Sequence, residues 1–133
     1  MKNLGYEVNL KKIEWILRIG LFGTFLGHGV FAYQLKPRFI EMLTAMTGIT
    51  GALANNLMIT IGVIDIAIAF LALFFPFRLL LLWASVWGFL TALARPVAGD
   101  PVWDFVERWA NWALPLALFY VRGLPKNIKD WFN

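Results

Sequence analysis

The chain has 133 residues, 60% of them hydrophobic and 17% aromatic, with a mean hydropathy of +0.68 and a formal charge of +4. A soluble domain holds about 45–50% apolar residues even with glycine counted, so this composition excludes one and predicts a single integral membrane domain. Cysteine is absent, which excludes thiolate metal sites, disulfide relays and CxxC redox chemistry carried by the chain itself.

The basic residues flank apolar runs and form no patch, which speaks for membrane orientation and against nucleic acid. Residues 1–12 carry Lys2, Lys11 and Lys12 against Glu7 and read as an interfacial lead-in. A first span is predicted over about residues 13–33, with Arg18 near its start and His28 near its far end. The run is long enough to span and lacks a small-x-small cleavage site, so it reads as a retained helix and not as a signal peptide. Its Gly23-x-x-x-Gly27 pair allows close helix approach, in bundle packing first and in a homodimer second.

The connection that follows contains Phe39, Ile40, Met42, Leu43, Met46 and Ile49 at a spacing that gives a helical apolar face, with Glu41, Thr44 and Thr47 opposite. It predicts a short interfacial helix over about residues 38–47, closed by Gly48 and Gly51. The second span, about residues 56–75, carries one charge, Asp65. A Phe75-Pro76-Phe77-Arg78 turn leads to a third span over about 79–95. After Arg95-Pro96 and Gly99-Asp100-Pro101, a fourth span covers about 103–122 and stops at Gly123 and Pro125. The fold class is therefore all-α: a polytopic four-transmembrane-helix bundle with one interfacial helix.

An even number of spans puts both termini on one side. That side has Lys2, Lys11, Lys12, Arg78, Arg122, Lys126 and Lys129; the other has Lys36, Arg38, Arg95 and Arg108, with Asp100, Asp104 and Glu107 among them. The excess predicts both termini in the cytoplasm of a cell inner membrane.

The fourth span is the least apolar, with Glu107, Arg108 and Asn111 beside Trp103, Trp109 and Trp112. Charges at bilayer depth persist where they face protein or water. In a continuous helix Glu107 and Asn111, four apart, share one face. At about 1.5 Å per residue His28 lies roughly 8 Å below the outer surface with Glu107 at a similar depth, and Asp65 and Asn111 lie roughly 14 Å down. His28, Asp65, Arg95, Glu107, Arg108, Asn111 and Trp112 are thus the candidate lining of one polar pocket in the outer half, with Trp87, Trp103 and Trp109 as aromatic walls. Pro115 leaves the carbonyl of Asn111 without its helical partner at that level. Simpler roles compete: belt anchors for Trp103 and Trp109, snorkelling for Arg95 and Arg108, and structural ion pairs or hydrogen bonds for Asp65, Glu107 and His28. One histidine and separated carboxylates make no metal-ligand spacing, and no catalytic residue is assigned.

Arg18 with His28-Gly29 in RIGLFGTFLGHG, and the acid in GVIDIAIAFLAL, give a pattern that resembles the DoxX-like family of small four-helix membrane proteins. The second-span acid is Asp65 here where the family pattern has glutamate. The resemblance implies a quinone or lipid-like ligand near a buried polar cluster, in membrane subunits of electron-transfer systems or in accessory proteins. The expected function is binding of an amphiphilic ligand, quinone or membrane lipid, with no covalently bound cofactor. A redox role would need a partner oxidoreductase subunit. A structural or assembly protein and a small-solute or proton-coupled carrier are the alternatives.

Overall fold

The computed structural model describes residues 8–133, which are mostly helical and contain no strand. The expected lead-in lies outside the described residues as far as residue 7. Helix α1, Leu10–Tyr33, starts where the Asn9 side chain accepts from the Lys12 amide at 3.0 Å, which satisfies one of the orphan donors of a helix start. Helix α2, Pro37–Thr47, follows almost at once, because Leu35 takes φ 55° and closes the end of α1. The Lys36 amide donates to the Phe31 carbonyl across this corner. That six-residue closure ordinarily uses glycine. Pro37 stands at the first position of α2, where its missing N–H costs nothing. Gly48 ends α2 with φ 75°.

Helix α3 is Gly51–Phe74 and helix α4 is Arg78–Val97. α1, α3 and α4 are each long and apolar enough to cross a membrane. Only 22%, 33% and 39% of their respective apolar windows are buried within the molecule, and Ile16, Val63, Phe70, Phe74, Trp83 and Phe89 point outward. So much exposed apolar surface exceeds what a soluble monomer presents.

The last segment departs from the expected single helix. It divides into α5, Val102–Val106, and α6, Ala110–Val121. Between them the amides of Arg108 and Trp109 donate to the carbonyls of Phe105 and Val106, and that of Asn111 donates to Arg108. These bonds three residues back tighten the chain into a 3₁₀-like turn and change its helical phase. A 3₁₀ helix, Ile128–Phe132, completes the chain, opened by a capping box of Asn127 and Asp130.

Two helix pairs, α1 with α3 and α4 with α6, form the bundle and meet along α1 and α6. Each pair closes over glycine. A Cβ on Gly62 would lie 2.6 Å from the Tyr33 nitrogen, and one on Gly88 would lie 2.2 Å from the Asn111 carbonyl oxygen. Gly23 and Gly27, expected to serve bundle packing, have nothing within 4 Å of a Cβ and face outward. The close approach falls on Gly29 and Gly62, one helix face further round.

Apolar packing is concentrated toward the end where α1 begins and α6 stops, with Leu21, Phe25, Ile68, Leu81 and Leu118 buried together. Toward the other end α3 and α4 touch little, and α2 packs against both. A chamber occupies that half.

Candidate binding chamber

The chamber has a volume of about 200 Å³ and is not sealed. α2 roofs it with Phe39, Met42, Leu43 and Met46; α3 contributes Met58, Ile61 and Asp65; α4 contributes Trp87, Leu90, Thr91 and Arg95. His28 enters from α1, and Arg108 and Asn111 from the turn and the start of α6.

The polar lining falls at two levels. Arg95 stands in the last turn of α4, eight residues after Trp87 and so about 12 Å further along the helix axis. His28 is near the mouth as well, since Arg95, Arg108 and Lys36 are the charges that act on it. Its ring meets Phe39 edge-on, with centroids 6.1 Å apart. Asp65 lies at the floor, 4% exposed, with the Trp87 indole as its hydrogen-bonding neighbour. Trp87 stacks on Trp83 at 5.7 Å, and this fixes the plane of the floor.

What the polar groups bond to distinguishes them. Arg108 donates to the Asp104 carbonyl at 2.7 Å and to the Glu107 carboxylate at 2.6 Å. Arg38, beside the mouth, pairs with Glu41 and Asp100, and its hydrogen bonds, first to Glu41 and then to Asp100, hold it above the ordinary arginine range. Lys36 sits over the Phe31 ring at 4.3 Å. Among the described residues Arg95 and Asp65 join none of the ion pairs. The side chains of His28, Arg95 and Asn111 make no hydrogen bond within the described chain. None of these three side chains is held by another part of the chain, and all three line one space, so the packing of the bundle does not use them.

Six of the residues expected at a polar pocket, His28, Asp65, Trp87, Arg95, Arg108 and Asn111, line this chamber. The others lie outside the lining. Glu107 is 64% exposed at its side chain and turns to Arg108. Its pairing with Asn111 on one face requires an unbroken helix, and the turn at 107–109 removes that condition. Trp103 and Trp109 are 72% and 46% exposed. Trp112 lies behind the wall, with a buried Nε1 that has no partner among the described residues. Among the described residues Asp65 has no arginine partner, so of the structural ion pairs considered for Asp65 and Glu107 only Glu107–Arg108 is formed.

Sequence reading missed the roof. Phe39, Met42, Leu43 and Met46 form the apolar face of α2, and that face turns onto the chamber instead of a lipid surface. The available signal was the glycine-closed brevity of α2, which leaves it no length to travel away from the bundle.

The Asn111 carbonyl freed by Pro115 packs against Gly88, and the Ser85 hydroxyl donates to the Trp112 carbonyl at 2.8 Å. The start of α6 is thereby held on α4, and Asn111 is positioned at the chamber wall. No pattern of three histidine, cysteine or acidic side chains able to hold a metal occurs among the described residues. Compared with protein-family models, with curated proteins and with solved structures, the chain matches none.

Proposed function

We propose that this chain is a multi-pass inner-membrane protein that holds an amphiphilic molecule, a quinone or a lipid, in the chamber beneath α2. In this reading α1, α3 and α4 cross the bilayer, α5–α6 makes a broken fourth crossing, α2 lies at the outer interface and both termini are cytoplasmic. Irregular backbone at membrane depth is tolerated where it is buried in protein or lines a cavity, and the turn at 107–109 brings Arg108 to the chamber wall.

The observation that carries the proposal is the set of polar side chains not bonded elsewhere in the described chain, His28 of α1, Arg95 of α4 and Asn111 of α6, around a mostly apolar space floored by Asp65 and Trp87. Ligand sites have this character: apolar walls with a few convergent polar groups. The volume of about 200 Å³ lies between a void that takes benzene, about 150 Å³, and the roughly 300 Å³ at which drug-sized pockets begin. It suits one ring or a short stretch of a single chain, with the remainder passing between α3 and α4 to the lipid. Met42, Met46 and Met58 give a wall whose side chains adapt in shape.

The DoxX-like resemblance through His28 and Asp65 agrees with this reading, since both residues line the chamber. Arg18 does not; it belongs to a separate charge cluster at the opposite end. Electron transfer would take place on a partner subunit, with this chain positioning the quinone. The test is extraction of the purified protein followed by mass spectrometry of co-purified quinones and lipids. A stoichiometric amphiphile that is lost in His28→Ala with Asp65→Leu, while helical content is kept, supports the proposal. Equal, sub-stoichiometric lipid in both proteins overturns it.

A further inference from the structure

Resting on the reading of an amphiphile chamber, we infer that the bound molecule carries an anionic headgroup, a carboxylate or phosphate on a single chain, seated at Arg95 at the chamber mouth. Charge is distributed unevenly there. Lys36, Arg38, Arg95 and Arg108 are the cations of this end, and Glu41, Asp100, Asp104 and Glu107 are the acids that balance them. Arg95 and Arg108 line the chamber, whereas none of those four acids does. Arg108, Asp100, Arg38 and Asp104 are the charges that act on Arg95; Arg38 and Arg108 are already bonded to carboxylates. Among the described residues Arg95 alone of these three arginines faces the space with its guanidinium unengaged.

A guanidinium matches carboxylate and phosphate oxygens in a bidentate way that a neutral carbonyl does not use fully. Direction follows from the second polar level. Asp65, about 12 Å deeper along the helix axis, supplies no cation, so an anionic head finds a charge partner only at the mouth. Between the two levels the walls are Met42, Met58, Ile61 and Leu90, which suits a chain and not a second charged group. The neutral members of the proposed ligand class, unmodified quinones among them, are thereby disfavoured.

The test measures binding of matched probes to the full-length protein in a neutral detergent: palmitate, hexadecyl phosphate, hexadecanol and inorganic phosphate. The expected result is that palmitate or hexadecyl phosphate binds at least tenfold more tightly than hexadecanol, and that Arg95→Gln removes this preference while Arg95→Lys keeps part of it. Added salt should weaken the anionic probes and leave hexadecanol unchanged. Hexadecanol binding as tightly as palmitate overturns the anionic head and leaves the amphiphile chamber standing. Inorganic phosphate competing at the same concentration as hexadecyl phosphate also overturns it, as a free-anion site. No probe binding at all would remove the chamber reading itself.

Discussion

The two ends of the bundle use the same residue types to opposite effect. Where α1 begins and α6 stops, Glu14 accepts from both Arg18 and Arg122, the latter at 2.8 Å. Arg18 also reaches the Leu73 carbonyl at 3.4 Å and lies over the Trp15 ring. Arg78 donates to the carbonyls of Gly123, Arg122, Asp130 and Asn133 and fastens the C-terminal segment beneath α4. Apart from the Nε atoms of Arg18 and Arg122 and the exposed Lys11, Lys12, Lys126 and Lys129, charge at this end is spent on other parts of the chain, and the apolar core packs directly above it. At the end roofed by α2, Arg95, His28, Asn111 and Asp65 face a space. A charge that is fully bonded within the chain specifies the fold, and one left unbonded beside a cavity is available to something else.

Substitutions sharpen this contrast in order of expected effect. Gly88→Val should be the most damaging, because its Cβ meets the Asn111 carbonyl at 2.2 Å and backbone cannot yield as a side chain does. A loss of more than about 3 kcal/mol is expected, at or beyond the usual range for overpacking, read as unfolding in a mild detergent. Glu14→Gln should cost about 3 kcal/mol, the low end for stranding a partly buried ion-pair partner, since it strands two arginines at once. An unfolding midpoint unchanged from wild type would show that the terminal cluster does not hold the fold.

Asp65→Asn should leave stability within about 1 kcal/mol, since no ion pair is broken and the asparagine keeps a side-chain oxygen that can accept from the Trp87 indole. Its effect should appear in amphiphile retention instead, and a collapse of the fold would move Asp65 from the chamber's chemistry to its structure. Gly23→Ala should not destabilise, because the added methyl enters open space and alanine is favoured over glycine inside a helix by about 0.5–1 kcal/mol. A loss of a dimeric species in that variant, seen by crosslinking in membranes, would mean that the outward glycine face packs on a second copy.

Much of this was legible in the sequence, and for identifiable reasons. Long apolar runs bounded by Gly48, Pro76 and Pro125 leave little choice about where helices begin and end. Isolated polar residues such as Asp65 and His28 stand out because their surroundings are so apolar. What failed was phase and partnership. Periodicity carries Glu107 and Asn111 onto one face only if the helix is continuous, and the sequence does not reveal that the amides after Phe105 bond three residues back. Glu14 drew no notice because it reads as a surface charge near a helix start, and only the fold brings Arg122 from the far end of the chain to meet it. The α2 face looked membrane-directed because an apolar stripe does not say whether lipid or protein will cover it.

The central claim is that the unbonded polar groups at the α2 end serve an occupant and the bonded ones at the other end serve the fold. It is tested most directly by native mass spectrometry of the wild type, the Arg95→Gln/Asp65→Asn double variant and Glu14→Gln, each paired with its unfolding midpoint. The expected result is a double variant that unfolds like the wild type but has lost its bound amphiphile, beside a Glu14→Gln protein that is destabilised and still retains it while folded. A double variant that keeps the wild-type complement of amphiphile, or that unfolds as early as Glu14→Gln, would contradict the account.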